Sequence, residues 1–333
     1  MMKAGKLTKG DKVGIISPST PAPVKFPKRF KRGKAYLESM GLDLVEGCCT
    51  NKEQSYRSST IRDRAEEINE FIRNPEIKAI ISTIGGMNSN SLLPYIDYQT
   101  LEKHPKIMMG YSDITALLLG IYKKTGLHTF YGPAVVPSFG EYPEMLKSGA
   151  DYVKNELFAE KKAPYTLEIP DKWTEELIDW HSQDRAKTMV TNEGWKCVRS
   201  GKASGKLIGG NLNVMFGFIG TAYFPDLKNA ILFIEDSFKD MATEERLFSM
   251  LKLHGVFDQI QGLIIGKHEH FDDLGSPFTQ EDLLLEVIGD RSFPILANVD
   301  IGHTFPSHVF PIGIKVELDA DNGDIVFAEK GVH

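Results

Sequence analysis

Residues 106–116, KIMMGYSDITA, decide the fold: Ile107, Met108 and Met109 form an apolar run, Gly110-Tyr111-Ser112-Asp113 a tight turn, and residues 114–122 an apolar helix. Strand, turn, serine, helix is the order that lifts a hydroxyl above a sheet edge. It also sets that hydroxyl at a helix N-terminus, whose free N–H groups can stabilise a developing oxyanion. Ile114 stands where the nucleophile elbow of the α/β-hydrolases has its second glycine, so the stretch is not that superfamily's motif. A second reading stays open on these residues alone, with Ser112 as a plain N-cap.

Upstream, short apolar runs alternate with helical patterns, the signature of a parallel sheet covered by helices. Residues 13–16 read as a first strand, and Phe30, Gly33, Leu37 and Met40 as one face of a helix that Gly41 ends. Residues 42–45 read as a second strand. Ile61, Ala65, Ile68 and Ile72 mark a second helix stopped at Asn74-Pro75, and residues 77–84 a third strand. Between residues 140 and 201 the pattern weakens, prolines and charges accumulate, and Trp173, Trp180 and Trp195 stand among polar residues. This reads as a linker with a long loop, and loops of that length are commonly lids. Strands resume over 230–234, 262–265, 294–297, 312–317 and 325–328. The expected division is a first domain at 1–160, a linker and recognition loop at 161–200, and a second domain at 201–333.

Composition excludes several classes. A chain of 333 residues with 41% apolar side chains buries a substantial core, and its length favours two domains. A formal charge of -6 attracts neither nucleic acid nor an anionic membrane. The apolar run at 13–16 is too short for a secretory leader, and the charge-free stretch 207–225 carries glycines, two asparagines and a proline, so it reads as a buried strand and helix. The expectation is a cytoplasmic protein. Cys48, Cys49 and Cys197 offer neither a disulfide framework nor a two-pair zinc spacing, and read as structural thiols.

A serine nucleophile needs a base, normally histidine, oriented by a carboxylate. His303, in Ile301-Gly302-His303-Thr304, opens a glycine- and proline-rich loop after a strand, where catalytic groups commonly sit. Glu235 ends the apolar strand of LFIEDS, where a buried carboxylate demands a partner. Gly85-Gly86 ends the third strand with backbone that can approach a ligand closely. An oxyanion donor, a plain turn and a phosphate contact all remain open there.

Taken together, STIGGMNSNSLLPYIDY, IMMGYSDITALLLGIY, TFYGPAVVPSFGE, GGNLNVM, LFIEDS, IIGKHEHFDD and the late GHT resemble the LD-carboxypeptidase (peptidase S66) family over almost the whole chain. The resemblance implies an α/β fold: a Rossmann-like parallel-sheet N-terminal domain plus a smaller β-rich α/β C-terminal domain. It implies Ser112 as nucleophile, Glu235 and His303 completing a triad, and the N–H groups of Gly86 and Asp113 as the oxyanion hole. It also implies a homodimer without a cofactor. Members divide by substrate between murein tetrapeptides and peptidyl- or aminoacyl-adenylate antibiotics of the microcin C type, and the wording here is similar to the second group. There the resemblance places Trp180 as a stacking platform for adenine, with Trp173 or Trp195 as alternatives. Asn211 or Asn213 and Lys239 would hold the phosphate or sulfamate.

Other signals point elsewhere. His268-Glu269-His270 with Asp272 and Asp273 gathers metal-ligand types but lacks HExxH spacing, and no metal is expected there. Six basic residues between Lys25 and Lys34 read as a solvated helix face. A non-catalytic ligand-binding protein of two α/β lobes is the rival of another class.

Overall fold

Local signals start the helices where the pattern predicts them. Thr60 accepts the N–H of Asp63 and caps Ile61–Arg73, whose Ala65, Ile68 and Ile72 are buried; Asp240 caps Met241–Leu253 through Thr243 in the same way. The computed structural model describes residues 2–333.

The first sheet contains β1 (Lys12–Ile16), β2 (Asp43–Glu46), β3 (Ile77–Ser82), β4 (Ile107–Gly110) and β5 (Thr129–Tyr131). These five are parallel. β6 (Tyr165–Thr166) belongs to the second sheet, while β7 (Lys172–Trp173) and β8 (Val190–Thr191) pair only with each other. The second sheet continues with β9 (Lys196–Arg199), β10 (Lys202–Asn211), β11 (Ala230–Glu235), β12 (Gly262–Gly266) and β13 (Ile295–Val299). β14 (Phe310–Ile312) returns to the first sheet, antiparallel to β5, and β15 (Lys315–Asp319) and β16 (Asp324–Phe327) finish the second.

The orders are β14-β5-β4-β3-β1-β2 and β6-β16-β15-β10-β11-β12-β13-β9. In the first sheet the order reverses between β1 and β3, and the crevice beyond the carboxyl ends at such a reversal is where open parallel sheets bind ligands. The second sheet keeps a parallel centre, β10 to β13, with antiparallel flanks. The α/β class and its two-part organisation therefore stand as the resemblance implied.

The helix Thr115–Thr125 packs on both sheets, and every residue from Thr115 to Ile121 is buried. That accounts for its apolar character all round. Leu117 and Leu118 share one core with Ile80 of β3, Ile208 of β10 and Leu232 of β11, so the helix behind Ser112 fastens the two sheets together.

Three readings need correction. The run at 312–317 is two strands in different sheets: Gly313, at φ +98°, turns the chain between β14 and β15. The weak region after residue 140 contains the helix Lys147–Leu157, which buries Ala150, Val153 and Leu157 but has no side-chain cap to announce it. The basic run is not uniformly solvated either. Arg29 is fully buried, because its guanidinium bonds Val136 O, Pro137 O and the Glu141 carboxylate.

Candidate active site

β4 ends at Gly110 and the chain turns through Ser112 at φ +61°, a left-handed conformation that costs a serine on the order of 1–3 kcal/mol. The surroundings hold it there. Ser112 N–H donates to the Tyr131 hydroxyl at 3.0 Å, and Thr115 Oγ1 donates to Ser112 O at 2.7 Å. Gly85 lies against the serine; a Cβ at that position would stand 2.8 Å from Ser112 Cβ and 3.0 Å from its Oγ.

Across the crevice, β11 delivers Glu235 from the second sheet. His303 Nε2 lies 3.1 Å from Ser112 Oγ, and His303 Nδ1 lies 2.7 Å from Glu235 Oε2. Gly302, at φ +85°, lets the histidine loop fold over the acid, since a Cβ there would collide with the Glu235 carboxylate. The other carboxylate oxygen, Oε1, accepts from the Tyr131 hydroxyl at 2.5 Å and from Asn211 Nδ2 at 3.0 Å. Tyr131 thus touches both the serine backbone and the acid, a role that its sequence context, TFYGP, does not signal.

Burial alone would raise the Glu235 carboxyl, but His303, Tyr131 and Asn211 outweigh it and hold the pKa below the ordinary carboxylate value. Burial works against protonating His303 too; the carboxylates of Glu235, Glu269 and Asp236 outweigh that and hold its pKa above the ordinary one. Burial, reinforced by Glu235, pushes the Tyr131 phenol well up, so it stays a neutral donor.

The Gly86 and Asp113 N–H groups donate to no acceptor among the described residues. The segment carrying Gly86 is pinned from both sides. Thr20 N donates to Gly85 O at 3.1 Å and Met87 N to Ser19 Oγ at 3.2 Å. The Asp113 carboxylate accepts the N–H groups of Asn88 and Ser89, each at 2.9 Å.

The residues expected to touch ligand are placed unequally. Asn211 is buried and its amide is spent within the protein, on Glu235, Asp236 and the Val214 N–H, so it does not present a free amide to a ligand. Asn213 is part-exposed; its backbone N–H donates to Asp236 at 2.9 Å, and its side-chain amide has no partner among the described residues. Lys239 Nζ bonds Ser237 O at 2.7 Å and pairs with Asp236 at 3.2 Å. The three tryptophans part company. Trp195 Nε1 donates to the buried Asp300 at 2.9 Å, and Trp173 lies 5.3 Å from Lys267 Nζ, so both serve the second sheet. Trp180 reaches the first sheet's helices instead, edge-on to Phe26 at 5.0 Å and 4.5 Å from the Arg29 guanidinium.

The run from His268 to Asp273 brings no three metal-ligand atoms together. His268 Nε2 accepts the Lys239 N–H at 3.3 Å, His270 bonds Glu175, and Glu269 is buried where its charge acts on His303.

A serine hydroxyl, an imidazole and a buried carboxylate in one hydrogen-bonded row above a parallel sheet is the arrangement of serine hydrolases. Residues 13–132 match the model of the LD-carboxypeptidase N-terminal domain, and residues 204–318 that of the LD-carboxypeptidase C-terminal domain. The chain belongs to the LD-carboxypeptidase family, and is a serine peptidase-like hydrolase. It is 46% identical over 332 residues to the microcin C7 self-immunity protein MccF of Escherichia coli, covering 98% of this chain and 96% of that one. A Vibrio cholerae protein with a provisional carboxypeptidase name is 48% identical over 97% of this chain and 96% of its own. Among solved structures, MccF in the apo state superposes with a TM-score of 0.96 at 46% identity, covering 100% of both chains. MccF in complex with aspartyl sulfamoyl adenosine superposes at 0.95, again at 46% identity and 100% of both chains. No helix among the described residues is long and apolar enough to cross a membrane.

Proposed function

We propose that this protein hydrolyses the amide bond joining the acyl and nucleotide parts of aminoacyl- or peptidyl-nucleotide antibiotics of the microcin C type, conferring immunity or resistance. The observation that carries the chemistry is the Ser112–His303–Glu235 row, at 3.1 Å and 2.7 Å. Ser112 Oγ attacks the acyl carbonyl while its proton passes to His303 Nε2. The oxyanion is held by the Gly86 and Asp113 N–H groups. Collapse breaks the C–N bond, and His303 protonates the departing nitrogen; water, activated by the same imidazole, then releases the acyl group from Ser112. Glu235 fixes the ring and stabilises its cation. Tyr131 and Asn211 in turn fix Glu235.

Trp180 is the adenine platform in this reading, because Trp195 and Trp173 have partners in Asp300 and Lys267 at the second sheet, whereas Trp180 rests on Phe26 and Arg29. Asn213 and Lys239 face the phosphate or sulfamate. Residues 1–160 carry the nucleophile, 161–200 recognition, and 201–333 the acid and base; the protein works as a cytoplasmic homodimer. Support for the substrate comes from the 46% identity to MccF, whose solved complexes hold aspartyl sulfamoyl adenosine and glutamyl sulfamoyl guanosine.

Murein tetrapeptide L,D-carboxypeptidase activity is the second reading, favoured by 30% identity to a Bacillus subtilis protein provisionally named a murein peptide carboxypeptidase. Direct comparison of kcat/KM on an aminoacyl sulfamoyl adenosine and on a murein tetrapeptide decides between them. Preference for the tetrapeptide overturns the first reading, and turnover of either by Ser112→Ala overturns the mechanism.

A further inference from the structure

Away from the cleft, Cys48 and Cys49 sit in the turn after β2 with their sulfurs 3.9 Å apart. Cys49 is buried and Cys48 is exposed. Glu67, from the helix Ile61–Arg73, points at the same spot, so that two sulfurs and a carboxylate oxygen lie within 4.8 Å of one another. No other three such ligand atoms meet in this way among the described residues.

The spacing is that of ligands sharing one ion. With metal–sulfur bonds of about 2.3 Å and tetrahedral angles, two thiolates stand about 3.8 Å apart. The carboxylate is in the state a cation would relieve. Glu67 is fully buried, accepts the Ser17 N–H at 2.9 Å and the Cys49 N–H at 2.7 Å, and has no lysine or arginine bonded to it among the described residues. Burial pushes its carboxyl up to about 7, and burial together with Glu67 pushes the Cys49 thiol well above its ordinary value. Each oxygen keeps a lone pair beyond its N–H bond, and exposed Cys48 opens a way in from solvent.

We propose that Cys48, Cys49 and Glu67 bind one thiophilic divalent cation of the zinc class, with two thiolates, one carboxylate and a solvent molecule in the fourth position. Binding forms two metal–sulfur bonds and one metal–oxygen bond in place of bonds to water, releases the two thiol protons and any proton carried by Glu67 to solvent, and changes no oxidation state, so affinity rises with pH. The ion takes no part in the hydrolysis. It joins the turn to the end of β1, because Ser17 N–H is already bonded to Glu67. A cysteine pattern alone could not disclose the site, since the third ligand arrives from a helix 18 residues further on.

The test is titration of the reduced, metal-free, full-length protein with Co²⁺, following sulfur-to-cobalt charge-transfer absorption, with Zn²⁺ displacement read by a chromophoric chelator. The wild type should saturate at one equivalent, and Cys197→Ser should match it. Cys48→Ser and Cys49→Ser should lose the charge-transfer band, and Glu67→Gln should weaken binding. Cys48 is exposed, so its serine variant keeps the fold, which circular dichroism checks. The absence of a band in the folded wild type, or its survival in Cys48→Ser, overturns the site and leaves Glu67 as an anchor for two N–H groups only.

Discussion

Around Ser112 the polar groups are fixed several times over: Tyr131 holds the serine backbone and the acid, Asn211 holds the acid again, and Gly302 wraps the histidine onto it. Around Trp180 the arrangement differs. Its ring rests on Phe26 and Arg29, and the following loop is latched by Gln183, which accepts from Arg29 and donates to Glu141, both at 2.6 Å. The proposed catalytic row is therefore built from strand ends of two sheets, and the proposed adenine platform from a loop clamped to one helix. The difference suits the proposed division of labour, in which chemistry needs groups fixed from two sheets and recognition an aromatic face carried on a loop.

If the two ends divide the work in this way, the largest losses belong to the fixed end. Ser112→Ala and His303→Ala should each lower kcat on the order of 10⁴- to 10⁶-fold, and Glu235→Ala by less, with binding of adenylate analogues retained. Steady-state and binding measurements check this. Should Glu235→Ala keep near-normal kcat while Asp236→Ala loses it, the orienting acid is misassigned.

Tyr131→Phe tests whether redundancy at that end matters. It removes the hydroxyl shared by Ser112 and Glu235, a charge-assisted contact contributing about 1.5–3 kcal/mol, so kcat should fall roughly ten- to hundredfold with KM little changed. An unchanged kcat would mean that Asn211 alone suffices.

At the loop end, Trp180→Ala should raise KM for adenylate analogues by an amount corresponding to about 1–3 kcal/mol and leave hydrolysis of a small acyl substrate untouched. An equal loss on both substrates would erase the distinction between the ends. A finer probe is the proton on His303. Because neighbouring carboxylates hold its pKa above the ordinary value, kcat/KM should fall as pH drops through a point above about 6.5, where the imidazole is protonated and cannot accept from Ser112. In Glu235→Gln the raising charge is lost, and NMR titration of the ring should show a lower pKa. Smallest of all, chelating agents should leave hydrolysis unchanged, since the proposed steps use no ion; zinc-restorable loss would point to a metallohydrolase.

Ser112, Glu235 and His303 were legible in the sequence only as candidates, each at the end of an apolar strand or beside a glycine; a helix cap, an exposed strand-end acid and a loop histidine fit the same local patterns, and the family resemblance is what joins the three. Tyr131 was not, because its partner lies 104 residues away and nothing in TFYGP signals a shared hydroxyl. The motif GGNLNVM leaves Asn211 and Asn213 as alternative ligand contacts, since a short motif cannot tell an amide facing the cleft from one facing Glu235. The basic run gives no sign that Arg29 is buried, since its partners, Val136, Pro137 and Glu141, lie in a segment without a clear pattern. Gly313 splits one apolar run between two sheets, and alternation of side chains cannot reveal a change of sheet.

The helix Thr115–Thr125, wedged between the sheets, also bears on when reactivity can arise. Ser112 precedes His303 by 191 residues, and each comes from a different sheet. On the proposed chemistry a chain leaving the ribosome carries its serine long before it carries a base, and stays inert until the second sheet has docked against that helix. Hydrolysis then reports assembly: a protein nicked in the linker should regain turnover only to the extent that its two pieces find each other.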